Sequence, residues 1–145
     1  MIEPGTNGLA VVASSSSSSS SDPKAKAIAV LACEHGNRRV VINYFVQQST
    51  TNNNINTNTN NYTSDNYHRS TSVLAEQYNG LPLNSPNDLA VHPVTQDVFF
   101  TDPPYGLIGK EADEEFVQGF SGVYRIDGAY VQQRLAALAS ALPAK

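Results

Sequence analysis

Residues 83–106 read LNSPNDLAVHPVTQDVFFTDPPYG. Two short apolar runs, Asp88–His92 and Asp97–Thr101, flank Pro93-Val-Thr-Gln96. That pattern predicts a β-hairpin of two five-residue strands joined by a four-residue loop. The residues around the hairpin are unusual. SPND before it and TDPPYG after it place Asn and Asp at Pro-bounded turns. A plain connection does not need so many side-chain oxygens at strand ends, so these are the first candidates for a site.

Working outward, Gly8–Ala13, Ala27–Cys33, Arg39–Val46, Ser72–Tyr78 and Gly122–Ile126 each have the length and turn boundaries of a strand. Arg39–Val46 is the clearest, being β-branched and aromatic. Asn79-Gly80 closes Ser72–Tyr78, and Asp127-Gly128 closes the last strand. Short strands divided by turns predict an all-β sandwich, barrel or propeller. The C-terminus differs. Ala129–Leu142 is rich in helix formers, with Val131, Leu135, Leu138 and Leu142 on one stripe. It predicts a C-terminal helix within a 129–145 tail, its stripe packed on the domain.

The 145 residues are enough for one domain. Hydrophobic content is 40% but charged content only 15%, because two low-complexity tracts dilute the chain. The Ser-rich insertion 14–22 and the Asn/Thr-rich insertion 49–66 offer too little apolar surface to offset ordering, which predicts disorder and leaves roughly 100 residues to fold. Each lies between neighbouring strands and reads as an expanded turn, since closure cost grows only logarithmically with length. Net charge is −4 and no basic stripe extends beyond Arg38-Arg39, which speaks against nucleic acid as a partner. No apolar run approaches the roughly 20 residues of a membrane span, and the first residues show no signal-peptide pattern. Localisation stays unassigned, with the cytoplasm favoured. The single Cys33 excludes an internal disulfide and a multi-Cys metal site, and its expected role is buried packing. His68 and His92 have no partners in sequence, and Asn61-Tyr-Thr63 is a sequon that matters only in a secreted chain.

EPGTNGLAV, LACEHGNRRVV, SVLAEQYNGLPLNSPNDLAVHP, DVFFTDPPYGL and SGVYRIDG, in that order, resemble segments of gluconolactonase-like proteins. That family groups gluconolactonase, senescence marker protein (regucalcin) and luciferin-regenerating enzyme. The resemblance covers residues 3–128 apart from the two insertions. It implies a six-bladed β-propeller, of which this chain matches about two blades and the start of a third. It also implies a metal-dependent lactone hydrolase acting on a sugar-acid lactone, with a divalent cation, commonly calcium, held by side-chain oxygens in a central channel. On that pattern the chain is incomplete and inactive alone. The alternative is a non-catalytic propeller remnant or interaction module.

By resemblance, Asn87 in SPND matches the family's channel Asn, which contacts metal or substrate; otherwise it only closes a turn. Asp88 could assist a second, structural cation or simply cap the turn. Asp102 in TDPPY either lines the channel or makes an Asx turn before Pro-Pro. Glu34 and His35, beside Cys33 at a strand end, are further channel-lining candidates. The family's early acidic ligand, later Asn and late catalytic Asp find no match here, and Glu3 does not stand at that motif. The catalytic residues are therefore unassigned.

Overall fold

Four strands in chain order, β1 (Thr6–Val12), β2 (Ala27–Glu34), β3 (Arg39–Gln47) and β4 (Tyr67–Ala75), form an antiparallel sheet. The structure is a computed structural model that describes residues 5–12, 27–47 and 67–141. Both low-complexity insertions, and the disorder expected of them, lie outside the described residues, as does Leu142. β2 and β3 pair in unbroken register from Ala27 opposite Val46 to Glu34 opposite Arg39. Strand alternation turns Ala29, Leu31 and Cys33 to the same side as Val40, Ile42 and Tyr44. All six are buried in the core, where each large aliphatic chain contributes about 1.5–3 kcal/mol.

A second antiparallel sheet contains β7 (Leu89–Val91), β8 (Val98–Asp102) and β9 (Gly122–Ile126) in that order. Between the sheets runs a two-residue pair of strands, β5 (Gln77–Tyr78) and β6 (Leu81–Pro82). Asn79 and Gly80, at φ 51° and 79°, make the tight turn between them, the geometry that favours Asn-Gly in two-residue hairpins. Helix α1 (Gly128–Ser140) starts at Asp127, whose Oδ1 accepts from the Ala129 and Tyr130 N–H groups. Val131 and Leu135 are buried and Leu138 is half-buried on the same core as Val98, Phe100 and Ile126. Arg134 donates to Ser72 and fastens the helix to β4.

The described residues are thus mostly antiparallel β-sheet with one C-terminal helix. Three sequence expectations shift in detail. The fourth strand was expected over Ser72–Tyr78, but β4 begins at Tyr67 and ends at Ala75, because the polar residues Tyr67–Ser70 pair with Gln47–Tyr44. The first hairpin strand is shorter, the second keeps its five residues but starts one later at Val98, and their connection is six residues, His92–Asp97. His92 Nδ1 accepts the Thr95 N–H and the Gln96 N–H reaches the His92 carbonyl, which tightens the turn beyond four residues. The helix starts one residue early, at Gly128.

Strand direction sorts the chain into two ends. The β2–β3 turn, the start of β1, residues 83–88 and the loop after β8 share one end. The end of β1, the start of β2, the end of β3, the start of β4 and the connection 92–97 share the other. At the first end the sheets are tied by the Gly8 N–H, which donates to the Asn87 carbonyl at 2.6 Å. Among the described residues no helix is long and apolar enough to cross a membrane.

Candidate functional site

The density of residues 83–106 is first an interlock. Asp102 ends β8 fully buried, and its two carboxylate oxygens accept the backbone N–H groups of Asn84 and Ser85, each at 2.8 Å. The Asn84 amide donates to the carbonyls of Asp102 and Phe120. Ser85 Oγ donates to the Pro103 carbonyl and accepts the Gly106 N–H. A Cβ on Gly106 would lie 2.8 Å from the Ser85 Cβ, so only glycine lets the loops close this far. Pro86, fully buried, follows directly. The next residue, Asn87, is thereby delivered at a fixed point on the end of the sheet.

Three backbone and side-chain contacts hold Asn87. Its N–H donates to the Thr101 carbonyl, its carbonyl accepts from Gly8, and its Oδ1 accepts from Asn7 Nδ2 at 2.5 Å. The Asn7 amide nitrogen also stands 2.9 Å from His35 Nδ1. His35 opens the 3₁₀ turn His35–Asn37 that follows β2, with its N–H on the Gly5 carbonyl. A Cβ on Gly5 would come within 3.1 Å of His35 Nε2, and one on Gly106 within 3.2 Å of its Cδ2. Asn7, His35 and Asn87 therefore form a polar cluster drawn from three of the motifs, with the fourth, DPPYG, packed against it.

The other candidates stand apart from that cluster. Glu34 turns to Arg39 at 2.6 Å and accepts from Asn37 at 3.0 Å. Partial burial pushes its carboxyl up, but the hydrogen bonds from Asn37 and Arg39, with the charges of Arg39 and Arg69, outweigh this and hold it below the usual carboxylate range. Replacing Glu34 by Gln should destabilise the chain at pH 7 by up to about 1 kcal/mol. Because the folded value is depressed, that gap is full above the unfolded value of about 4.3 and closes as pH falls through the folded one. Melting both proteins at pH 7 and at successively lower pH checks it; a gap independent of pH would count against the Glu34–Arg39 assignment.

Asp88 is exposed, and its Oδ1 accepts the N–H of Leu89. Burial raises the Asp102 carboxyl above its ordinary value, against the pull of the Asn84 and Ser85 N–H groups and of Arg38. Cys33 is fully buried, and its thiol is pushed up to about 12 by burial and then by the charges of Asp88 and Asp102. At neutral pH it is a protonated thiol, unfit as a nucleophile.

Two residues that the sequence left without a role hold the site together. Asn7 bridges His35 and Asn87. Arg38 adopts the left-handed conformation at φ 54° and is pinned by bonds to the Leu83 carbonyl at 2.5 Å and to Glu115 at 2.9 Å. Their partners lie tens of residues away, so only the TNG and NRR motifs hinted at them.

A cation shell does not fit these residues as they stand. Ca²⁺ takes about six to eight oxygen ligands. Asn87 Oδ1 already accepts from Asn7, the Asp102 oxygens are both engaged, and Asp88 caps its neighbour. Among the described residues no group of three or more His, Cys, Asp or Glu could hold a metal ion.

Over 58 residues, 40% of its length, the chain is 40% identical to a gluconolactonase of Zymomonas mobilis. The match to gluconolactonase is partial. It spans 16% of the Zymomonas gluconolactonase. A solved gluconolactonase structure from Xanthomonas campestris is 28% identical, with a TM-score of 0.43 over 68% of this chain and 26% of that one. No family model matches the chain.

Proposed function

We propose that this gluconolactonase-like chain carries part of a lactone-hydrolase site, with a sugar-acid lactone as the substrate class. The observation that supports it is the joining of Asn7, His35 and Asn87 at one sheet end, in a chain that is 40% identical to a gluconolactonase over 58 residues. On this reading the two sheets are blades of a longer propeller, and the chain alone is incomplete. The cluster binds and orients the lactone: Asn87 supplies one polar contact, and His35 and Asn7 hold it in place. The carboxylate that activates water comes from residues beyond the described ones. So do the oxygens for a divalent cation, proposed as calcium on the strength of the resemblance.

The test is a chimera in which residues 3–128 of this chain replace their counterparts in the Zymomonas gluconolactonase. It should hydrolyse glucono-1,5-lactone, read as proton release above the spontaneous rate. Asn87→Ala in the chimera should lower kcat about 100-fold, the loss typical of one oriented polar contact. The 145-residue chain alone should add nothing to the spontaneous rate. A chimera that folds but does not hydrolyse would turn the reading toward a non-catalytic remnant.

A further inference from the structure

Asn7 donates to Asn87 Oδ1 at 2.5 Å and faces His35 Nδ1 at 2.9 Å through the same amide nitrogen. An amide NH₂ has two hydrogens and accepts nothing, so both neighbours must be acceptors. His35 must then be bare at Nδ1 and carry its proton on Nε2. Asn87 must turn its oxygen toward Asn7 and its own NH₂ away, where no described residue accepts from it. The reverse arrangement would need every member to turn at once. A mixed one sets two donors or two acceptors face to face, which leaves polar groups unmatched.

We propose that Asn7 is a positioning residue that sets the direction of hydrogen bonding at this end of the sheet. It holds His35 as the Nε2–H tautomer and presents the Asn87 NH₂ as a donor. A site that offers hydrogens in this way takes a carbonyl, hydroxyl or carboxylate oxygen. The identity of that oxygen as part of a lactone rests on the proposed function; the direction set by Asn7 does not.

The histidine tautomer reports the direction without any assay of activity. The full 145-residue chain, ¹⁵N-labelled at histidine, would be examined by long-range ¹H–¹⁵N spectra near pH 8. His92 serves as an internal reference, because its Nδ1 accepts the Thr95 backbone N–H at 3.0 Å and that donor cannot turn. His35 should show the same tautomer as His92, with Nδ1 bare. Asn7→Asp keeps the shape but offers only acceptors, and should move the His35 proton to Nδ1. Asn7→Leu removes both contacts and should leave a mixture.

An Nδ1–H tautomer at His35 in the unaltered chain overturns the proposal. So does a tautomer that both Asn7 variants leave unchanged while His92 holds its own. Either result would leave the lactone reading intact. Conversely, a silent chimera would remove the lactone and leave the tautomer result standing.

Discussion

Replacing Asp102 by alanine is expected to destabilise the chain by about 3 kcal/mol or more. The side chain is fully buried, and so are the two residues whose N–H groups it receives, Asn84 and Ser85. Alanine offers neither group an acceptor, and a buried donor left unmatched costs about 1–3 kcal/mol. Two are left. A loss of this size should lower Tm by more than about 10 °C in a domain of roughly 100 residues. Asp102→Asn retains one oxygen and opposes an NH₂ to the other donor, so its Tm should fall between the two. Thermal melts of the three proteins decide it. If alanine proves nearly neutral, Asp102 does not hold residues 83–88 in place, and the delivery of Asn87 needs another cause.

Gly8→Val is expected to have a comparable effect by a different route. Even a Cβ at this position would lie 2.8 Å from the Asp88 Cα and the Leu89 nitrogen, both backbone atoms with little room to move. Valine adds two methyl groups and should pry β1 from β7, costing about 3 kcal/mol, the upper range for overpacking. Gly8→Ala should cost less. The useful readout is twofold. The melt should drop, and the 2.6 Å bond from Gly8 to the Asn87 carbonyl should open, exposing that amide to faster hydrogen exchange. A lower Tm with unchanged exchange at Gly8 would mean that strain is absorbed elsewhere and the two sheets are not held together at this point.

Much of this molecule was legible in its residues. The strong strand Arg39–Val46 became β3, and the hairpin of 83–106 stands where its apolar runs placed it. Local signals sufficed there because β-branched residues and Pro, Asn and Gly act on their immediate neighbours. The start of β4 escapes sequence reading for the same reason. Tyr67-His-Arg-Ser70 has no apolar alternation, and only its pairing with β3 makes it a strand. The sequence around Asp102 suggests only uses at its own turn, whereas its oxygens serve residues 17 and 18 positions earlier. Asn7 was less accessible still. Its contacts reach across 28 and 80 residues, and nothing in the TNG triplet specifies them.

The separation of the two ends carries a consequence for how this gene can drift. β2 begins at Ala27, five positions after the first insertion ends in sequence, and ends beside His35. At about 3.3 Å per residue, those eight steps set Ala27 roughly 26 Å from His35 and the polar cluster. β3 is a spacer of the same kind between Arg38 and the second insertion. Replication slippage in the Ser or Asn/Thr repeats would therefore lengthen or shorten the chain without altering the spacing of Asn7, His35 and Asn87. Alleles differing in repeat number should melt alike and share one His35 tautomer, making these repeats a reservoir of variation to which selection on the site is blind.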